Sequence, residues 1–190
     1  MNKFTKNIYL MFFLTAFNIS SARSQFNYGD YLNHRYTEYL DSTGISIVDL
    51  VDRSEKVIFF PRENTPYCKS KNIFGYVDFA RWHNANYFSN LGMCTNRILR
   101  YGRNFLERRD QINNTMNHEA FHAAQLCQSR SSGDFIPFGL ENGRFSKHIH
   151  DFIYENYKDV NSTRKIVEME AMYAQDKPYL VKQYLKKYCY

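Results

Sequence analysis

The chain has 190 residues, with 25 Lys and Arg against 19 Asp and Glu, a formal charge of +6. Three of those cations (Lys3, Lys6 and Arg23) lie in the first 24 residues with no acid among them, so the remainder carries only +3, which gives no ground for a nucleic-acid partner. Sixteen Tyr and sixteen Phe supply core material without much Leu or Val, and the roughly 166 residues from position 25 onward are the size of one domain.

Residues 1–24 read as an export signal. Lys3 and Lys6 precede the apolar run Ile8–Phe17, and a polar exit with small residues follows, with Ala22 or Ser24 before the cleavage point. The run is short for a bilayer span, so no membrane contact is expected once the signal is removed. Export in turn suggests two disulfides among Cys68, Cys94, Cys127 and Cys189. Three connectivities exist. We expect Cys68–Cys94, which ties a local loop, and Cys127–Cys189, which pins the C-terminus to the helix described below.

Beyond the signal, Tyr31, Leu32, Tyr36, Tyr39 and Leu40 recur at helical spacing, predicting a short helix over Asp30–Leu40 that Gly44 stops, with His34 at its surface. Lys56–Phe60 is a predicted strand ended by Pro61. Phe74–Ala80 is a second, and Arg97–Tyr101 a third before Gly102. Residues 83–93, with several Asn and a Gly, read as a loop; Trp82 and His83 there either pack or touch a substrate. The three strands would form a small, mostly antiparallel sheet. Helices follow: Glu107–Gln128, which contains neither Pro nor Gly, then Gly143–Lys158, then Asn161 or Ser162 to Asp176, then one opened by Pro178. Strands first and helices after predict an α+β fold.

The chemistry sits on the first of these helices, in His118-Glu119-Ala-Phe-His122. Histidines four apart share one helix face and can hold one metal ion, and Glu119 can reach a water bound to it. This spacing reads as two zinc ligands and a general base. The plain alternative is a surface helix with two solvated histidines. A catalytic zinc takes a third protein ligand, and His148, His150, Glu168 and Glu170 lie downstream. Gln125 and Gln128 stand where a longer histidine motif would need Gly and His. Glu168 and Glu170 are about 200° apart around their helix and cannot both face the metal. Glu168 has Arg164 as an ordinary i,i+4 partner and reads as a surface residue. Glu170 shares a stripe with Ile166, Tyr173 and Ala174, where a carboxylate is costly unless partnered. Glu170 is therefore the expected third ligand. Gln125 either hydrogen-bonds a ligand or is a plain polar surface residue.

His118-Glu119-x-x-His122 followed by Glu168-Met169-Glu170-Ala171 resembles the gluzincin branch of zinc metallopeptidases, in several families of which the ligand glutamate directly precedes an alanine. Met172 and Ala174 stand where many members carry an aspartate. The resemblance implies a compact zincin-like fold, with a short sheet over the motif helix, an edge strand lining the cleft and the glutamate helix closing the metal site. It further implies Zn²⁺ as cofactor and a peptide or protein substrate, with Glu119 passing a proton from the attacking water to the leaving amine. Tyr173 and His148 are the available donors for transition-state charge, though either also reads as helix packing. A rival reading is an exported, disulfide-stabilised binding or structural protein whose zinc site is structural or absent.

Overall fold

The computed structural model describes residues 36–54, 56–60, 66–69, 73–81, 87–129, 133–140 and 144–190. The expected export signal, His34, Trp82, His83 and most of the Asp30–Leu40 helix lie outside these residues. From a 3-10 turn at Thr37–Tyr39 the chain enters helix α1 (Ser42–Arg53). Asp41 starts this helix by accepting hydrogen bonds from the amides of Thr43 (2.9 Å) and Gly44 (2.7 Å). Gly44 is thus inside a helix rather than a stop. Its role is close approach: a Cβ there would stand 2.3 Å from Asn113 Oδ1 on the motif helix. Asn113 uses that proximity, accepting from the Asp41 amide (3.2 Å) and donating to the Tyr39 carbonyl (2.9 Å).

Strand β1 (Val57–Phe60) and the short helix α2 (Pro66–Lys69) precede β2 (Gly75–Arg81) and β3 (Tyr87–Met93). The sheet order is β1-β3-β2. β2 and β3 pair antiparallel from Gly75↔Met93 to Arg81↔Tyr87, whereas β1 runs parallel to β3 from Val57↔Ser89 to Phe60↔Gly92. The expected loop over 83–93 therefore contains the central strand. The expected third strand, Arg97–Tyr101, is instead helix α3 (Thr95–Tyr101). Cys94 decides this: its carbonyl accepts from the amides of Arg97 (3.0 Å) and Ile98 (3.1 Å), opening a helical turn, while its own amide is held by the Phe74 carbonyl (2.8 Å). Ile98 is then the inward side chain.

Helix α4 (Phe105–Gln128) is the spine, capped by Asn104, whose side chain accepts from the Glu107 amide. After segment 133–140, which has no regular secondary structure, come α5 (Lys147–Asn156), α6 (Ser162–Ala174) and α7 (Pro178–Tyr188). The sheet, α1, α6 and α7 all pack on α4, and the core gathers there around Ile47, Leu91, Met116, Phe121, Val181 and Leu185. Helix α1 precedes the strands and α2 lies among them, while the remaining helices follow the small sheet, so the α+β expectation holds at that level. Both expected disulfides form, Cys68–Cys94 and Cys127–Cys189, the second joining the end of α4 to the residue after α7. Among the described residues no helix is long and apolar enough to cross a membrane.

Candidate functional site

Twenty-four residues without Pro or Gly keep α4 regular, so His118 and His122 project from adjacent turns of one face. Their rings meet edge to face at 4.6 Å, and their Nε2 atoms are 3.1 Å apart. The third member of the cluster comes from α6. It is Glu168, whose Oε2 lies 3.3 Å from His122 Nε2 and 3.7 Å from His118 Nε2. His122 and Glu168 are buried, and the His118 side chain is 19% exposed, so the cluster opens on that side.

The Glu170 expectation is corrected by its surroundings. Glu170 is fully buried, but its carboxylate accepts from the Phe138 amide (2.8 Å), the Leu140 amide (2.9 Å) and Gln125 Nε2 (2.9 Å). The partner that its burial demanded is a pair of backbone N–H groups and an amide rather than a cation. Glu168 is likewise not a surface residue. The Arg164–Glu168 pair does form, at 2.9 Å, yet it occupies only Oε1 and leaves Oε2 to the histidines.

Two further side chains hold the cluster in place. Gln125, at 0% exposure, hydrogen-bonds His122 Nδ1 through Oε1 (2.7 Å), and its Nε2 donates to Glu170 and to the Val167 carbonyl (3.2 Å). Tyr157, the C-cap of α5, donates its hydroxyl proton to Glu168 Oε2 (3.2 Å). Tyr157 stands outside every motif of the sequence. The signal is the short connection from Tyr157 to Asn161, the N-cap of α6, which folds that ring back over the first turns of α6. Neither donor expected from the sequence reaches the cluster. His148 is exposed on α5, and Tyr173 packs its ring against Phe145 with Lys177 Nζ 4.0 Å above it.

Glu119 points towards the sheet. Its carboxylate rests against Gly75 at the start of β2, where an added Cβ would stand 2.5 Å from Glu119 Cγ and 2.8 Å from Oε1. Burial pushes the Glu119 carboxyl up to about 7; the His118 charge pulls it down, the Glu168 charge adds to the rise and Arg164 opposes it. For Glu168, burial also pushes upward, but the charge of His122 and the hydrogen bonds of both histidines outweigh it and hold this carboxyl far below the usual range. Burial and the charge of Glu168 push the Tyr157 phenol well above its ordinary value, so it stays a proton donor. Two carboxylates that feel each other's charge are thereby driven in opposite directions, which is how a site separates a proton acceptor from a fixed anion.

The donor set suits a metal of the zinc type: two imidazole nitrogens and one carboxylate oxygen, all within 4.8 Å of one another. Four ligand atoms placed tetrahedrally at about 2.0–2.1 Å from an ion are about 3.4 Å apart. The three separations here, 3.1, 3.3 and 3.7 Å, bracket that value.

No curated protein and no solved structure matches the chain. Residues 36–190, which include every residue of the cluster, match the family described as Domain of unknown function (DUF8637), and the chain belongs to that family.

Proposed function

We propose that the protein is an exported, zinc-dependent hydrolase of the metallopeptidase kind, with His118, His122 and Glu168 as metal ligands and Glu119 as general base. The observation that carries this reading is the convergence of two imidazole Nε2 atoms and one carboxylate oxygen at tetrahedral-edge separations, with a raised, buried carboxyl on the same helix. Zinc, when bound, supplies a polarised water of lowered pKa and a Lewis acid for a carbonyl oxygen. Glu119, with its affinity near neutrality, takes a proton and returns it to a leaving amine. Tyr157 donates its O–H to Glu168 Oε2 and so steadies the carboxylate oxygen that would face the ion. Arg164 holds Glu168 by Oε1, so the carboxylate presents a single oxygen.

The wider arrangement suits a zincin-like reading, with the sheet over the motif helix and α6 across it. Among the described residues β2 is an edge strand, and it passes Glu119 at Gly75, so an extended peptide could add to that edge as a further strand. Two disulfides fit an oxidising compartment, in line with the export signal expected from residues 1–24.

One observation favours the rival reading of a non-catalytic binding or structural protein. Arg164 and Tyr157 already satisfy both oxygens of Glu168, so the cluster is hydrogen-bonded without an ion. Elemental analysis decides the first step, run on wild type, Glu168→Ala and Glu119→Gln. Near-stoichiometric zinc in wild type and Glu119→Gln, lost in Glu168→Ala, supports the metal site. Folded wild type without zinc rejects it. Given zinc, a peptide-library digest separates the two readings: Glu119→Gln should cost a hundredfold or more in rate, on the order of a general base's contribution.

A further inference from the structure

Gln125 and Glu170 take no part in the proposed chemistry, yet both are completely buried beside it. A buried amide is oriented by its neighbours. Gln125 Nε2 faces two groups that can only accept, the Glu170 carboxylate at 2.9 Å and the Val167 carbonyl at 3.2 Å. Turning the amide over would set its oxygen against both. The nitrogen is therefore fixed on that side, and Oε1 is fixed at 2.7 Å from His122 Nδ1. Glu170 is itself immobilised by the amides of Phe138 and Leu140. The result is a rigid acceptor aimed at one ring nitrogen of His122.

This matters because a neutral histidine carries one proton and has a choice. On Nε2, that proton could donate to Glu168 Oε2, 3.3 Å away, and would block the lone pair that a metal needs. On Nδ1 it donates to Gln125 and leaves Nε2 free to face His118 and Glu168. We infer that the Glu170–Gln125 pair is a positioning clamp that holds His122 in its Nδ1–H tautomer, presetting Nε2 as a ligand atom and joining segment 133–140 to the site. The inference rests on the metal-site reading for its purpose, but the tautomer can be read in the metal-free protein. The expected contribution is that of a partner of a ligating histidine, ten- to a hundredfold in metal affinity. Such partners are commonly carboxylates or backbone carbonyls; here a side-chain amide serves, itself oriented by a carboxylate.

The test reads the tautomer and the affinity separately. Long-range ¹H–¹⁵N correlation spectra of the metal-free ¹⁵N-labelled protein at pH 8 should show His122 as Nδ1–H in wild type. Gln125→Met, which keeps the length but removes the acceptor, should move His122 to Nε2–H and weaken zinc binding ten- to a hundredfold in a chelator competition. Gln125→Glu should restore both, since a proton shared with Glu170 can replace the amide N–H while the other oxygen still accepts from Nδ1. His122 as Nε2–H in metal-free wild type overturns the inference, as does a Gln125→Met protein with unchanged tautomer and zinc affinity within threefold. If Gln125→Met does not fold, the wild-type tautomer alone decides. A wild type with the expected tautomer but no zinc uptake would instead reject the metal reading and leave the clamp in place.

Discussion

Replacing Glu119 by Gln should stabilise the metal-free protein, by an amount that grows as pH rises from about 4.5 to about 7. The Glu119 carboxyl titrates at about 7 in the folded chain against an ordinary value of 4.5. Between those two pH values the folded state holds a proton that the unfolded state has released. Fewer protons bound in the unfolded state means that stability falls as pH rises. The loss begins near pH 4.5, is complete above about 7, and amounts to about 3 kcal/mol for a shift of that size. Gln has the same shape and does not titrate. Urea unfolding of chelator-treated wild type and Glu119→Gln should therefore give equal stabilities at pH 4.5 and a Gln advantage approaching about 3 kcal/mol at pH 8, the gap opening by about 1.4 kcal/mol per pH unit in between. A gap that is flat with pH, or a wild type more stable at pH 8, would refute the assignment of Glu119 as a buried carboxyl destabilised by its desolvation.

Three other substitutions test the packing around the site. Gly75→Ala puts a methyl group 2.5 Å from Glu119 Cγ, and overpacking of this kind should cost about 1–3 kcal/mol in urea unfolding; Gly75→Ala with Glu119→Ala should recover part of that loss. Gly44→Ala would stabilise an ordinary helix interior by about 1 kcal/mol, but here the Cβ meets Asn113 Oδ1 at 2.3 Å, so the expected sign is reversed and a lowered melting temperature checks it. Removing Cys127–Cys189 with a double Ala substitution releases a loop of 62 residues and should cost about 4 kcal/mol by loop entropy, read from the shift in urea midpoint.

Local signals located the elements that carry the site. The absence of Pro and Gly gave α4 its length, Asn161 gave α6 its start, and Pro178 gave α7 its start. The failures lie where tertiary contacts override local pattern. Gly44 looks like a terminator until Asn113 is known to lie against it, and no periodicity in Arg97–Tyr101 registers that the Cys94 carbonyl begins a helix while the Cys94 amide is held by Phe74, the residue before β2.

The exchange of Glu168 for Glu170 has a more general cause. Burial cost implies that a carboxylate on an apolar stripe has a partner; it does not identify the partner. Two backbone amides and a glutamine satisfy Glu170 as fully as a cation would, and an arginine bonded to one oxygen of Glu168 leaves the other available. The run Val167-Glu168-Met169-Glu170-Ala171 did contain the needed hint. Apolar residues alternate with both acids there, so a helix through it has apolar surface on opposite sides, and such a helix is enclosed rather than half-exposed. All five residues are buried. Enclosure demands a separate partner for each glutamate. The histidine pair lies on the face of α4 that also carries Gln125 one turn on, so α6 must bring one acid to the imidazoles and the other to the glutamine. Pairing along α6 then ranks them: Arg164, one turn before Glu168, lies on the open side of the cluster, with 38% of its side chain exposed, and Glu170 lies on the closed side against segment 133–140. A metal site needs an opening to solvent for its substrate, and among the described residues the partly exposed members of the cluster, His118 and Arg164, adjoin Glu168 rather than Glu170.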